Sequence, residues 1–370
     1  MEPENDKSAD SAHGFDTSRY LALDTEFVWR STYSAKMGLV QAKGAALRLP
    51  ASALIAFDSA ETRHRDITLI DPLVYDGAEI ACAVTDRSIV KIFHAADQDL
   101  TYITRWCGAK FSNIFDTSLA ARFCGYTGQI SLQKLLADTL GVTLEKDSTL
   151  TDWLKRPLTR KQLSYALDDV AYLAELADLL AEKARSAGTL AWLLEATREA
   201  EAEAQAPEPE GMAWKRVKHV RAPLFRSPRQ LVMLRELAET RERLAARADL
   251  PRNWVLDDSV LIAAALNPSG FDWQKASGNI PKNLLPELLE AYGRAAGMPP
   301  ENLPRLEPAF APAPKNKIEK AQSLVAECAR RHGVDPSLIG TRTLCSTYAV
   351  NPDDPAHKFN KGWRRKILGI

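Results

Sequence analysis

Between positions 20 and 94 the chain alternates short apolar runs with polar breaks. Residues 21–27, Leu-Ala-Leu-Asp-Thr-Glu-Phe, read as a strand, as do 37–41, 67–70 and 89–94. Beyond them the period lengthens, and 100–106, 132–140 and 163–184 are predicted helices. Early strands followed by interleaved helices predict an α/β domain built on a mixed sheet. Residues 42–66 exceed what a hairpin connection needs. Within them 53–57 predict an extra strand and 61–66 a charged turn.

The rear of the chain has a different pattern. Residues 196–211 are rich in Ala, Glu and Pro and read as a helix end entering a linker. Leu231, Leu234, Leu237, Leu244 and Leu250 then recur at helical spacing. The Arg-rich stretch 241–247, interrupted by Glu242, reads as a solvated, ion-paired face. Residues 251–258 open a further helix at 259–266, and a second Pro/Ala-rich linker spans 304–314. The layout is a disordered polar tail (1–17), an α/β domain (18–200), a linker (201–222), a helical bundle (223–303), a linker (304–316) and a second helical bundle (317–370).

With 370 residues, the chain is long enough for several packed domains. It has no run of about 20 apolar residues, so a membrane span is not expected. Its first residues lack the basic and apolar regions of a signal peptide. The five cysteines are odd in number, widely spaced and without a C-x-x-C pair, which points to reduced thiols in the cytoplasm. The net charge of +0 conceals an asymmetry: 28 acidic against 22 basic residues in 1–200, and 16 against 26 in 211–370. An acidic front suits a metal site, and a basic rear suits phosphate backbone.

The acids of the front half fall into a pattern. Asp24 and Glu26 are two apart on a strand and therefore share a face. Like charges so close oppose each other's ionisation unless a cation lies between them. Tyr165 and Asp169 are four apart on a helix, hence on one side of it. Asp99 follows a strand end near a helix start, with Asp97 expected to cap that helix. Asp168 is rotated by about 100° from Asp169 and is expected in solvent. His94 is read as structural and Asp116 as a helix N-cap. An all-oxygen set of this kind suits Mg²⁺ or Mn²⁺.

The three acidic motifs in order, with Asp152-Trp153 between the second and third, resemble the DEDD 3′→5′ exonucleases, in the subclass whose third motif carries Tyr. The wider resemblance, over about 20–180, is to the ribonuclease D family, and rests on 146–158 and 159–170 as well. It implies a ribonuclease H-like fold, with 251–266 similar to a helicase-and-ribonuclease-D C-terminal (HRDC) domain. The last segment is similar to a second, divergent one through 338–342 and 362–364. It also implies hydrolysis that releases nucleoside 5′-monophosphates, using two divalent cations about 4 Å apart. Asp24, Glu26 and Asp169 would hold one cation. Asp24, with waters on Asp99, would hold the other, and Tyr165 would orient or deprotonate the attacking water. Lys146, Trp153 and Arg156 would either contact substrate or brace the loop before the last helix. The implied partner is RNA with a free 3′ end, above all tRNA precursors, acted on by a monomer without membrane attachment. A DNA exonuclease is the alternative within enzymes, though no Gly-Lys-Ser/Thr phosphate loop of a linked helicase is present. A non-catalytic RNA-binding protein is the other alternative, and it would be expected to lack at least one of these acids.

Overall fold

The structure is a computed structural model that describes residues 19–29, 31–45, 47–144, 151–206, 211–218, 227–276, 278, 280–304 and 313–370. Strands β1 (Tyr20–Val28), β2 (Lys36–Gly44) and β3 (Ile67–Ile70) form an antiparallel meander. Helix α1 (Ala78–Thr85) leads to β4 (Val90–Phe93), and α2 (Asp97–Cys107) leads to β5 (Ile114–Asp116). Both of these strands run parallel to β1, giving the order β3-β2-β1-β4-β5. The mixed sheet is the one the strand–helix pattern predicts.

Helices α3 (Thr117–Phe123), α4 (Leu132–Leu140), α5 (Arg160–Ala171), α6 (Leu173–Ser186) and α7 (Leu190–Ala204) complete this unit. Alternation along the strands supplies two apolar faces. Ala22, Leu39, Leu69, Ile92 and Phe115 pack with α3–α6, while Leu21, Leu23, Val40 and Phe93 pack with α1 and α2. β4 pairs with β1 only along Tyr20–Ala22, whereas β2 follows β1 to Val28. Beyond Ala22, therefore, one edge of β1 faces the space below the start of α2 and not another strand.

Three local expectations need correction. The helix expected over 163–184 is two helices, broken at Tyr172 (φ −116°, ψ 6°). The Lys43 ammonium from β2 takes the carbonyl of Ala171 at that break, which tertiary packing supplies and helical periodicity cannot show. The extra strand expected at 53–57 is a 3₁₀ turn, Ala51–Ala53, followed by a single bridge between Leu54 and Ile70. The Arg-rich stretch is not wholly solvated. Arg241 is buried, donating to Asp258 Oδ1 (2.6 Å) and to the Leu256 carbonyl (3.0 Å).

Arg241 lies on α8 (Pro228–Ala248), which starts with a capping box between Ser227 and Gln230. With α9 (Arg252–Val255), α10 (Asp258–Leu266), α11 (Trp273–Ala276) and α12 (Leu285–Gly297) it encloses a core of its own. The final helices are α13 (Lys315–His332), α14 (Pro336–Ile339), α15 (Arg342–Val350) and α16 (Gly362–Leu368). Their Val325, Phe359 and Trp363 join the same core as Ala22 and Phe115. Trp363 packs edge-on to Phe123 at 5.2 Å, and Asp335 accepts from Arg122 and from the Gly128 amide, both at 2.9 Å. Among the described residues no helix is long and apolar enough to cross a membrane. The tail at 1–17, and parts of both linkers, lie outside the described residues.

This shared core predicts that Trp363→Ala destabilises the sheet domain itself, by about 3–5 kcal/mol. Chemical denaturation monitored by circular dichroism should give that loss. A change below about 1 kcal/mol would mean that the terminal helices rest on the sheet domain without supporting it.

Candidate metal centre

Asp24 and Glu26 emerge from the fully buried run Leu21–Ala22–Leu23, so the strand fixes their direction. They share the Ala22 side of the sheet, over which α5 packs. A capping box, with the Gln162 amide donating to Thr159 Oγ1 (3.2 Å) and the Thr159 amide to Gln162 Oε1 (3.0 Å), sets the start of α5. Ala166 and Val170 are buried, and Tyr165 and Asp169 face β1. Oxygens of Asp24, Glu26 and Asp169 all lie within 4.8 Å of one another. The Tyr165 hydroxyl stands beside Asp169, close enough to favour its charged form.

Asp99 stands just outside this trio, on the first turn of α2. Its Oδ1 accepts from the hydroxyl of Thr25, which points away from its neighbours Asp24 and Glu26. An open cleft of about 570 Å³ runs past Asp24, Glu26, Asp99 and Tyr165 and is bordered by Phe27 and Gln129. The Phe27 ring is held against Tyr102 at 4.9 Å.

Burial dominates the electrostatics. It raises the Asp24 carboxyl well above its usual range, with Asp99, Asp169 and Glu26 adding repulsion. Glu26 is pushed up to about 9 by burial and then by Asp169 and Asp99. Burial also lifts Asp99 and Asp169 to about 7, opposed by the hydrogen bonds from Thr25 and Tyr165 respectively. The Tyr165 phenol is raised too, by burial and then by Asp169, Glu26 and Asp24. The charged groups acting most strongly on Asp24 and Glu26 are other carboxylates.

Of the two roles open to Trp153 and Arg156, substrate contact or bracing of the loop, the contacts present are those of a brace. Trp153 is buried, its ring 6.2 Å from that of Tyr165. A Cβ on Gly38 would come within 2.5 Å of the Trp153 carbonyl, so that approach requires glycine. Arg156 forks onto Asp71 (2.7 and 2.8 Å) and donates to the carbonyls of Gly38 (2.6 Å) and Trp153 (2.8 Å). Both are braces of the 151–159 loop. Lys146 lies outside the described residues. His94 is structural, as expected, bonding to Thr117 Oγ1 and the Ile130 carbonyl, both at 2.9 Å.

Comparison with known proteins gives a consistent answer. A family model described as 3′-5′ exonuclease matches residues 4–185. The ribonuclease D of Pseudomonas paraeruginosa is 32% identical over 95% of this chain and 91% of its own length. That of Gluconacetobacter diazotrophicus is 29% identical over 95% and 86%. The chain belongs to the ribonuclease D family. The crystal structure of Escherichia coli RNase D, described as an exoribonuclease involved in structured RNA processing, superposes with a TM-score of 0.78. It is 26% identical and covers 95% of this chain and 91% of the other. The protein is a hydrolytic 3′→5′ exoribonuclease.

Two further expectations about this ribonuclease D site are corrected. Asp97 does not cap α2; the N-cap is Ala96, without a side-chain bond. The carboxylate of Asp116 instead holds the turn before α2, accepting from the amides of Ala95 (3.0 Å) and Ala96 (3.1 Å), while it caps α3. One acid from β5 thus fixes the turn that presents Asp99. Nor is Asp168 solvated: Arg63 Nε (2.8 Å) and His64 Nε2 (2.9 Å) both reach its Oδ1. Sequence reasoning missed Thr25, Arg63 and His64. Strand alternation does put Thr25 opposite the acids, but nothing in the sequence brings Asp99 to it. Arg63 and His64 lie in the 42–66 insertion, whose path follows no periodic pattern.

Asp168 therefore docks the insertion and is not expected to act in catalysis. Asp168→Ala should cost about 1–3 kcal/mol, the value of hydrogen bonds to charged partners, and speed proteolysis within 59–66. The rate on RNA at saturating metal should stay near wild type. Lost activity with an unchanged melting temperature would move Asp168 into the catalytic set.

Proposed function

We propose that the Asp24–Glu26–Asp169 cluster is the catalytic centre and that it removes nucleotides from the 3′ ends of structured RNA, tRNA precursors above all, with two divalent cations, Mg²⁺ or Mn²⁺. The observation that carries this reading is the approach of three carboxylates within 4.8 Å, with the Tyr165 hydroxyl beside one of them. The donor set fits the group: it is all oxygen, partly buried beside an open cleft, and crowded by like charge that a hard cation would relieve. Asp24, Glu26 and Asp169 would hold one ion, and Asp24 with Asp99 the other. When bound, the ions supply positive charge where negative charge develops on the phosphate and the departing 3′ oxygen.

The chain's own groups do the rest. Asp99 is oriented by Thr25, and Asp169 by Tyr165. The Tyr165 phenol, beside Asp169, would orient or deprotonate the attacking water. Phe27, packed at a tilt against Tyr102 beside the acids, offers an apolar wall for the terminal base or sugar. The structured-RNA preference is supported by the E. coli relative and by the basic excess of residues 211–370, and DNA remains the discriminating control.

The experiment compares 3′-labelled RNA, DNA of matched sequence, and a tRNA precursor with a 3′ extension. RNA should be shortened stepwise with Mg²⁺ or Mn²⁺ and untouched in excess chelator, and DNA should be the poorer substrate. Full activity in chelator would defeat the metal reading.

Two variants separate the roles. Asp169→Asn should abolish both turnover and the rise in melting temperature that Mn²⁺ gives the wild type. Tyr165→Phe should keep that rise while turnover falls roughly 10²–10⁴-fold. A Tyr165→Phe rate within about threefold of wild type would return this residue to the core aromatics.

A further inference from the structure

The catalytic cleft does not end at Phe27. Two residues further on, Trp29 leaves β1 with 52% of its surface exposed, and Trp254 on α9 is 53% exposed. Both line a second cleft of about 390 Å³ between the β1–β2 hairpin and the first helical bundle. Exposed tryptophans are costly to leave in water, and two facing one cleft need a reason.

The cleft is also cationic. Arg216, Lys218 and Arg252 border it. Arg216 and Arg252 share one carboxylate, Glu242, so the local balance stays positive. Arg252 is held rigid: its guanidinium lies 4.7 Å over the Tyr33 ring while both its bonds go to Glu242. Tyr33 in turn ties the two units together, its amide donating to Asp249 Oδ1 (3.2 Å), with Lys36 close to the same carboxylate (3.5 Å). The cleft is thus a fixed surface and not a gap between loose parts.

We infer that this cleft is a sequence-tolerant stacking site for single-stranded RNA just upstream of the 3′ end, with Trp29 and Trp254 taking bases and Lys218 and Arg252 facing phosphates. Exposed aromatics beside a positive groove are the combination that binds single strands without reading sequence. Its position agrees: Trp29 lies one residue past the end of β1 and, at no more than about 3.3 Å per residue, within about 10 Å of Glu26 along the chain. A strand whose last linkage sits at Asp24 and Glu26 would pass Phe27 and reach Trp29 within a few nucleotides. The inference rests on the proposed catalytic centre and adds to it how the enzyme grips the strand between cuts. A protein ligand would not need the alignment with the catalytic strand, so RNA is the occupant the geometry favours.

The test measures kcat and KM on an RNA dinucleotide, too short to reach the cleft, and on an unstructured RNA of about ten nucleotides. The enzymes are wild type, Trp29→Ala, Trp254→Ala and the double variant. For the longer RNA the double variant should raise KM about 10- to 100-fold with kcat near wild type, each aromatic contributing a stacked base. Dinucleotide kinetics should be unchanged, and Trp29→Phe with Trp254→Phe should recover most of the loss. Longer RNA, but not the dinucleotide, should quench the fluorescence that the double variant loses.

An unchanged KM on the longer RNA would overturn the inference and leave the cleft to a protein partner. An equal loss on both substrates would also overturn it, marking the tryptophans as supports of the fold. Failure of the wild type to cleave the dinucleotide, or its cleavage by Asp169→Asn, would instead count against the proposed catalytic centre.

Discussion

Four crowded carboxyl groups, which among the described residues feel one another more than any cation, are the constraint around which this molecule is arranged. Burial and mutual repulsion favour their protonated forms, up to about 9 for Glu26. A flexible chain would relieve the strain by letting the acids swing into water. Here they cannot: Asp24 and Glu26 extend from a strand with no exposure at Leu21, Ala22 and Leu23, and Asp169 comes from a helix locked at its first turn. The fold stores the repulsion, and a divalent cation is the ligand that can collect it. That is preorganisation in the electrostatic sense, because the groups need not move when charge arrives.

The surrounding contacts make sense as restraints on that cluster. Arg156 fastens the loop before α5 to β2 and to Asp71, while Trp153 fills the space beneath Tyr165. Lys43 ends α5 by taking the Ala171 carbonyl, so the helix that carries Tyr165 and Asp169 is fixed at both ends. Asp116 holds the turn that leads to Asp99. None of these side chains needs to touch RNA for its loss to impair turnover, since a displacement of about 1 Å in a catalytic carboxylate costs a large factor in rate.

What the sequence made legible follows from which interactions are local. Period-two alternation placed Asp24 with Glu26, and helical spacing placed Tyr165 with Asp169, because both pairs belong to one element. The choice of Asp169 over Asp168 was likewise a matter of helical register. Contacts between elements left no such trace. Asp97 was the obvious cap for α2 by position, yet α2 has no side-chain cap, and an acid nineteen residues on holds the turn before it because β5 runs beside β4. Asp168 was expected in water because the insertion that covers it has no periodicity to follow. Trp153 and Arg156 lay between catalytic motifs, where a recognition role and a bracing role have the same residue types. The strand β5, three residues long, was too short to register as a run.

Charge shows the same division between composition and contact. The basic excess of the rear half suggested a broad phosphate-binding face, but many of those cations already have partners. Glu195, Glu199 and Glu203 stand four apart on α7 and meet Lys366, Arg364 and Lys358 of the terminal helices. Much of the terminal cationic charge thus fastens those helices to the catalytic unit, beside the apolar contact of Trp363 with Phe123. In the first bundle Arg243 and Arg247 share Glu287, and Arg241 is buried on Asp258. Around Glu242, next to the hairpin that continues β1, two arginines likewise share one carboxylate and leave a positive excess. A small residual charge placed beside the path of the substrate steers a polyanion better than a larger one already paired, because only the unbalanced part projects a field into solvent.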